Sequence, residues 1–313
     1  MSPEVHDRSL TVYLLVALGL PWLIVLPLWT GEGLDSPSAL VLMSLMMITP
    51  TLAAVVALRA VEHDTDPIGA LLLRPTRPVW AFIGWLLLAH AVMLALVVGA
   101  LFTGAAFGVF PLDVVEFSGL RDLLQTQLAS AGQLTDLPAP MWVFALASLP
   151  GLFLGAVINT LVAAGEELGW RAFLFPRLMV YGRVVALLAQ GAIWGLWHAP
   201  VILLGYNYGD IPGWLSIALM SGFCTVVGAL LAWLTERTRT IWPAAMAHGT
   251  INAAVSATAI ALGRADTPVS PVHATIMGWS GWILPGLLGL ALWWLWPPST
   301  RPEPLREATA AQA

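Results

Sequence analysis

The stretch Asn159–Phe175, NTLVAAGEELGWRAFLF, decides how this chain is read. Two adjacent carboxylates, Glu166 and Glu167, stand in a run that is apolar on both sides. Ionisable groups at membrane depth are costly and usually functional. The plainer alternative is that the pair only ends a helix at the membrane surface. Arg171 follows Glu167 by four residues, acid before base, so the two can meet on one helical face. Such a pair would neutralise Glu167 and leave Glu166 free for chemistry. Asn159, Gly155 and Gly151 continue the Glu166 face. Small residues there admit a neighbouring helix, and Asn159 reads as an interhelical hydrogen bond.

The rest of the chain supplies the setting. Of 313 residues, 58% are hydrophobic and 10% charged, whereas a soluble domain carries about 25% charged residues. Mean hydropathy is +0.82. Lipid is therefore the solvent for most of the chain. The net charge of −5 comes without a basic block, which excludes nucleic acid as a partner. The one cysteine, Cys224, can form no disulfide within the chain. The first apolar run follows a single arginine and carries Pro21 and Trp22 where a cleavage site would need small residues, so it reads as a retained helix.

A crossing helix needs about 20 apolar residues. The expected fold is all-α: a polytopic transmembrane helix bundle of about eight spans, with its active site inside the bundle. The spans fall at roughly 10–29, 38–59, 79–102, 146–168, 184–204, 212–234, 242–262 and 274–296. Residues 1–140 hold the first three spans and a long outer loop, with a short helix around Leu120–Leu128. Residues 141–262 form the chemical core, 263–296 the last span, and 297–313 a disordered cytosolic tail. Cytoplasmic segments carry the arginine excess. With both termini inside, Arg8, Arg59, Arg74, Arg77, Arg171, Arg177, Arg183, Arg237, Arg239, Arg301 and Arg306 fall inside, against Arg121 and Arg264 outside. This predicts a multi-pass protein of the cell membrane with its active site toward the cytosolic side.

Two further spans each carry a histidine that breaks the apolar pattern. His198 ends QGAIWGLWHAP, where Gly191 and Gly195 provide a close-packed face. His248 precedes Asn252 by four residues, so imidazole and carboxamide project from one face. His90 and His273 read as structural, and His6 and His63 as tail or loop residues. A carboxylate pair, a histidine and a His-x-x-x-Asn on three separate spans could build one site in a bundle interior. Glu166 would act as general base on water, with His198 sharing the task, and His248 with Asn252 would face the oxyanion. Glu166, His198 and His248 are equally a donor set for a divalent metal such as zinc. There is no HExxH, no G-x-S-x-G and no paired Glu-x-x-His.

Glu166-Glu167-Leu168-Gly169-Trp170-Arg171, Trp194 to His198, and His248 to Asn252 resemble three motifs, EExxxR, aromatic-x-x-x-His and HxxxN. They belong to the CAAX protease and bacteriocin-processing family, which includes endopeptidases of the Ras-converting type. The resemblance covers about residues 150–256. It implies an intramembrane endopeptidase acting on a lipidated or membrane-associated peptide or protein, or on a bacteriocin-type leader. It also implies that Glu166 and His198 activate water, that His248 and Asn252 form the oxyanion site, and that Glu167 and Arg171 orient the motif from behind. The family often has Phe where this chain has Trp194, which reads as a small aromatic swap. Members have been described both as metalloproteases and as metal-free, and the metal stays open here. Two other readings remain: a non-catalytic immunity or scaffold protein that binds a peptide partner, and a proton or metal transporter.

One difficulty is visible in advance. With a fifth span starting at Val184, His198 lies roughly 20 Å along it, too deep to meet a Glu166 placed near the cytosolic face. Either that span starts later or the fourth continues past Arg171, through Pro176 and the stretch Phe173–Tyr181.

Overall fold

The structure is a computed structural model that describes residues 2–76, 78–133, 137 and 139–298. Arg77, Asp136, Arg301, Arg306 and the expected tail beyond residue 298 lie outside the described residues. The helices used below are α1 (Pro3–Ile24), α2 (Ala39–Val61), α3 (Val79–Ala106), α4 (Ser118–Ser130), α5 (Met141–Tyr181), α6 (Arg183–Trp197), α7 (Gly213–Thr238), α8 (Trp242–Leu262) and α9 (Trp279–Leu295). Among the described residues there is no strand, only an isolated antiparallel bridge between Leu112 and Gly263.

Six of these helices, α1, α2, α3, α5, α7 and α8, are long and apolar enough to cross a membrane. The expectation of eight full spans is corrected in two places. The fifth expected span breaks at His198 into α6 and a one-turn helix, Ala199–Ile202. Pro200 has no N–H to continue the ladder. The eighth expected span begins in turns and becomes α9 only at Trp279. At 1.5 Å per residue α6 and α9 measure about 22 and 26 Å, less than a hydrocarbon core of about 30 Å.

The fourth expected span is longer than expected. It runs through a π-helical segment, Leu168–Leu174, and a last α-turn to Tyr181. Gly182, at φ +96°, then reverses the chain into α6. From Glu166 to Tyr181 is 15 residues, about 22 Å of helix, and from Arg183 to His198 is also 15 residues, about 22 Å. The hairpin therefore returns His198 to the level of Glu166. Glu166 does not end a helix, and it stands well away from the arginine-bearing surface where the sequence placed it.

Lipid provides no hydrophobic drive between helices, so close packing has to hold them together. A Cβ at Gly191 would lie 2.3 Å from Thr225 Cα, and one at Gly195 2.3 Å from Ser221 Cα, which locks α6 against α7. A Cβ at Gly249 would meet Thr160 N at 2.6 Å and Ala156 O at 2.7 Å, which seats α8 on α5. α2 bends at Met47–Ile48, before Pro50, and lies over Gly165 and Gly169 of α5, where Thr51 Oγ1 donates to Gly165 O at 2.5 Å. The expected close approach along Gly155 and Gly151 is weaker. Gly155 meets Ala253 Cβ at ordinary distance, and Gly151 faces open space.

The bundle has two distinct ends. At one, Ser9 bonds Glu62, Arg177 grips both oxygens of Glu62 at 2.6 and 2.8 Å, and Trp242 Nε1 donates to Leu73 O. Arg183 reaches Trp293 O, and Arg237 covers the Trp296 ring. At the other end Trp29 Nε1 donates to Pro200 O, Tyr208 Oη to Met277 O, and Asp113 N to Leu262 O. α4, close to the expected short helix, lies there against the end of α8, with Gly119 N bonded to Gly263 O. Asp113 ties its start, accepting from Glu116 N, Ser118 N and Ser118 Oγ. Burial pushes the Asp113 carboxyl up, but the Ser118 hydroxyl and the neighbouring amides outweigh it and hold it well below the ordinary carboxylate value.

Candidate active site

Glu166, Glu167 and Arg171 are all buried, at 2%, 0% and 0% exposure. Arg171 therefore cannot be counted among loop arginines. Its Nη1 donates to Glu167 Oε1 at 3.1 Å, and its guanidinium lies 4.1 Å over the Trp194 ring. A buried ion pair is weak evidence for net stability, yet removing one partner is severe because the other charge is stranded. π-Helical turns inside α-helices are frequent at functional sites. Here such a turn follows the two glutamates directly and buries every residue from Leu168 to Leu174.

α8 brings His248 to the pair. Its Nδ1 donates to Glu167 Oε1 at 2.8 Å, and its Nε2 stands 4.0 Å from Glu166 Oε1. Glu167 thus binds Arg171 and His248 through one oxygen. Glu166 is held differently. The Trp194 indole donates to its Oε2 at 2.6 Å and the Trp170 indole to the same oxygen at 3.4 Å. Oε2 is fastened between two neutral donors, and Oε1 remains for chemistry. His198 Nδ1 donates to the Trp194 carbonyl at 2.9 Å, which fixes the tautomer and leaves Nε2 with a lone pair.

Glu166, His198 and Asn252 line one cavity of about 290 Å³, together with Asn159, Tyr206 and Asn207. The structure thus gathers three of the four expected groups around one space, with His248 behind Glu166 and in reach of it. Asn159 lines the cavity and donates to Gly155 O of its own helix, not across helices as expected. His90 bonds Thr250 Oγ1 at 2.9 Å, and His273 accepts from Trp279 Nε1 at 2.9 Å, both away from the site.

Trp194 was legible only as the aromatic of its motif, not as a donor to Glu166, and Trp170 and Gln190 were not legible as site residues. That amide is fully buried, and its Nε2 and the Arg171 Nη2 crowd the same glycine, Gly228. The only advance signal was spacing: Trp170 follows Glu166 by four residues, and Gln190 precedes Trp194 by four.

Among the described residues no three His, Cys, Asp or Glu side chains form a group able to hold a metal ion. In the alternative set Glu166, His198 and His248, each histidine has Nδ1 in a hydrogen bond and Nε2 free, as metal-ligating histidines do. But His248 Nε2 and Glu166 Oε1 are 4.0 Å apart, wider than two ligands on one tetrahedral zinc.

Fold and site together define a helical membrane protein with a carboxylate–imidazole centre buried in its bundle beside a polar-lined cavity. Residues 147–254 match the family model described as Type II CAAX prenyl endopeptidase Rce1-like, the segment whose three motifs resemble the CAAX protease family. No curated protein and no solved structure matches the chain.

Proposed function

We propose that the chain is an intramembrane endopeptidase that hydrolyses a peptide bond in a lipidated or otherwise membrane-associated peptide or protein. The observation that carries this reading is the placement of Glu166, His198 and Asn252 around one cavity, with Glu166 fixed by an indole and His248 beside it. The family match at residues 147–254 supports the reaction class.

In the proposed step Glu166 Oε1 takes a proton from a water while the water oxygen bonds to the scissile carbonyl carbon. His198 Nε2 accepts a hydrogen bond from the same water and holds its direction. The carbonyl electron pair moves to oxygen, and the oxyanion faces Asn252 and His248. His248 Nε2, 4.0 Å from Glu166 Oε1, is the ring nitrogen on that side, since Nδ1 is bound to Glu167. Collapse re-forms the carbonyl and breaks the C–N bond. The leaving amine takes the proton held by Glu166, giving a carboxylic acid and an amine. Glu167 and Arg171 hold His248 and the π-helical turn in position, and no step requires a metal.

The arginine-rich end lies in the cytosol in this reading, following the arginine excess. The test is cleavage of a membrane-tethered peptide in proteoliposomes by the wild type, Glu166→Ala and His248→Ala. The proposal expects turnover by the wild type, and a loss of about 10²-fold or more in each variant. Equal turnover in all three would refute it. No turnover, with peptide binding retained in all three, would mark a non-catalytic binding protein.

A further inference from the structure

The cavity is open toward one end of the bundle only. Its outer wall is formed by Leu40 at the start of α2, Tyr206 and Asn207 after α6, Ser256 in the last part of α8, and Met277 before α9. All five belong to the end that carries the Trp29–Pro200 and Tyr208–Met277 contacts. On the other side the site is closed. Trp170, Phe173, Leu174 and Phe175 are all fully buried between it and the Arg177–Glu62 pair, and no residue from that end lines the cavity.

The two ends also differ in charge. Arg8, Arg59, Arg74, Arg177, Arg183, Arg237 and Arg239 gather at the closed end, and Arg121 and Arg264 lie at the open one. Arginine excess marks the cytosolic side. Closure and charge are independent observations, one from packing and one from composition, and they coincide.

We infer that substrate reaches Glu166 from the non-cytosolic side, so that the chain cuts a segment anchored in the outer leaflet or exposed beyond it. This replaces the cytosolic access expected from sequence. It rests on the hydrolytic reading above only for the word "cuts". The wall suits an apolar guest of irregular shape: Met43, Met46, Met47, Met220 and Met277, five of the ten methionines in the chain, line the cavity. Methionine side chains are unbranched and adapt to such guests. Leu40, Met43 and Met47 of α2 give this entrance an apolar flank.

The test reads access without turnover, so it stands or falls separately from the cleavage assay. Ser256→Cys and Leu40→Cys place thiols at the open end, and Arg74→Cys places one at the closed end, where its side chain is 71% exposed. The native Cys224 is fully buried and provides the unlabelled background. A charged, membrane-impermeant maleimide is applied to right-side-out and to everted vesicles carrying each variant. The expected result is labelling of Ser256→Cys and Leu40→Cys in right-side-out vesicles, lost in everted ones, and the reverse for Arg74→Cys. Labelling of the first two from the same side as Arg74→Cys, or from neither side, overturns the inference. So does labelling of Arg74→Cys from outside.

Discussion

The two halves of α5 are made of similar residues and do opposite things. In the first half Leu146, Leu154, Ile158 and Leu161 are 57–69% exposed and face the membrane. In the second half, from Gly165 to Phe175, every residue but Gly165 is buried, including two glutamates and an arginine. Hydropathy treats both halves alike. What separates them is what covers them: α2, α6, α7 and α8 wrap the second half and supply partners for its charges. A charge can remain inside a bundle only where neighbouring helices supply its hydrogen bonds.

The sharpest way to break this contrast is to strand a charge. Arg171→Leu keeps volume in the buried half but leaves Glu167 with only His248. It should destabilise the fold by about 3–5 kcal/mol, read by thermal unfolding in detergent. A loss near zero would mean that the buried half tolerates charge as the exposed half tolerates leucine.

A smaller effect should follow from Trp194→Phe. The ring remains beneath Arg171 while the N–H on Glu166 Oε2 is lost. The expected change is a fall in kcat of about tenfold, the weight of one hydrogen bond to a charged group. KM should stay close to wild type, and the unfolding temperature should fall less than in Arg171→Leu, since one donor and part of a buried ring are lost but no charge is stranded. The sequence offered Trp194 as a neutral aromatic exchange, and unchanged kcat would restore that view.

In the loop before α4, Asp113 tests a charge held by hydrogen bonds at the surface and not by burial among helices. Its carboxyl lies below its ordinary value in the folded chain. Its stabilisation is therefore complete above the ordinary carboxylate pKa of about 4, and it fades as pH falls from there toward the lower folded value. Asp113→Asn should cost about 1 kcal/mol at pH 7. The variant should meet the wild type at strongly acidic pH, and a gap that widens on acidification would contradict this sign.

Leu161→Ala, in the exposed half of α5, should change stability by less than about 0.5 kcal/mol. A larger loss would show that this face is covered by something in the membrane.

How much of this was legible in the sequence follows from the same contrast. The helical bundle could be read because lipid selects long apolar runs, and Glu166, Glu167, His198, His248 and Asn252 stood out as breaks in those runs. The span count could not be read as well. Apolar residues at Ala199–Ile202 and Ala274–Gly278 extend the runs without extending the helices, since the chain breaks at His198 and turns before Trp279. The hydrogen bonds of Trp170 and Trp194 to Glu166 stayed hidden for a related reason. The chain has 16 tryptophans, and an indole that serves a carboxylate has the same hydropathy as one that faces lipid.

The central claim is that Glu166 and His248, from different helices, act as one unit on one bound substrate. The most direct measurement is the turnover of a membrane-tethered peptide by Glu166→Gln, His248→Ala and the double variant, set against the wild type. Groups that act together are strongly non-additive, so the double variant should be no slower than the slower single one. Losses that multiply, as for two independent sites, would contradict the account.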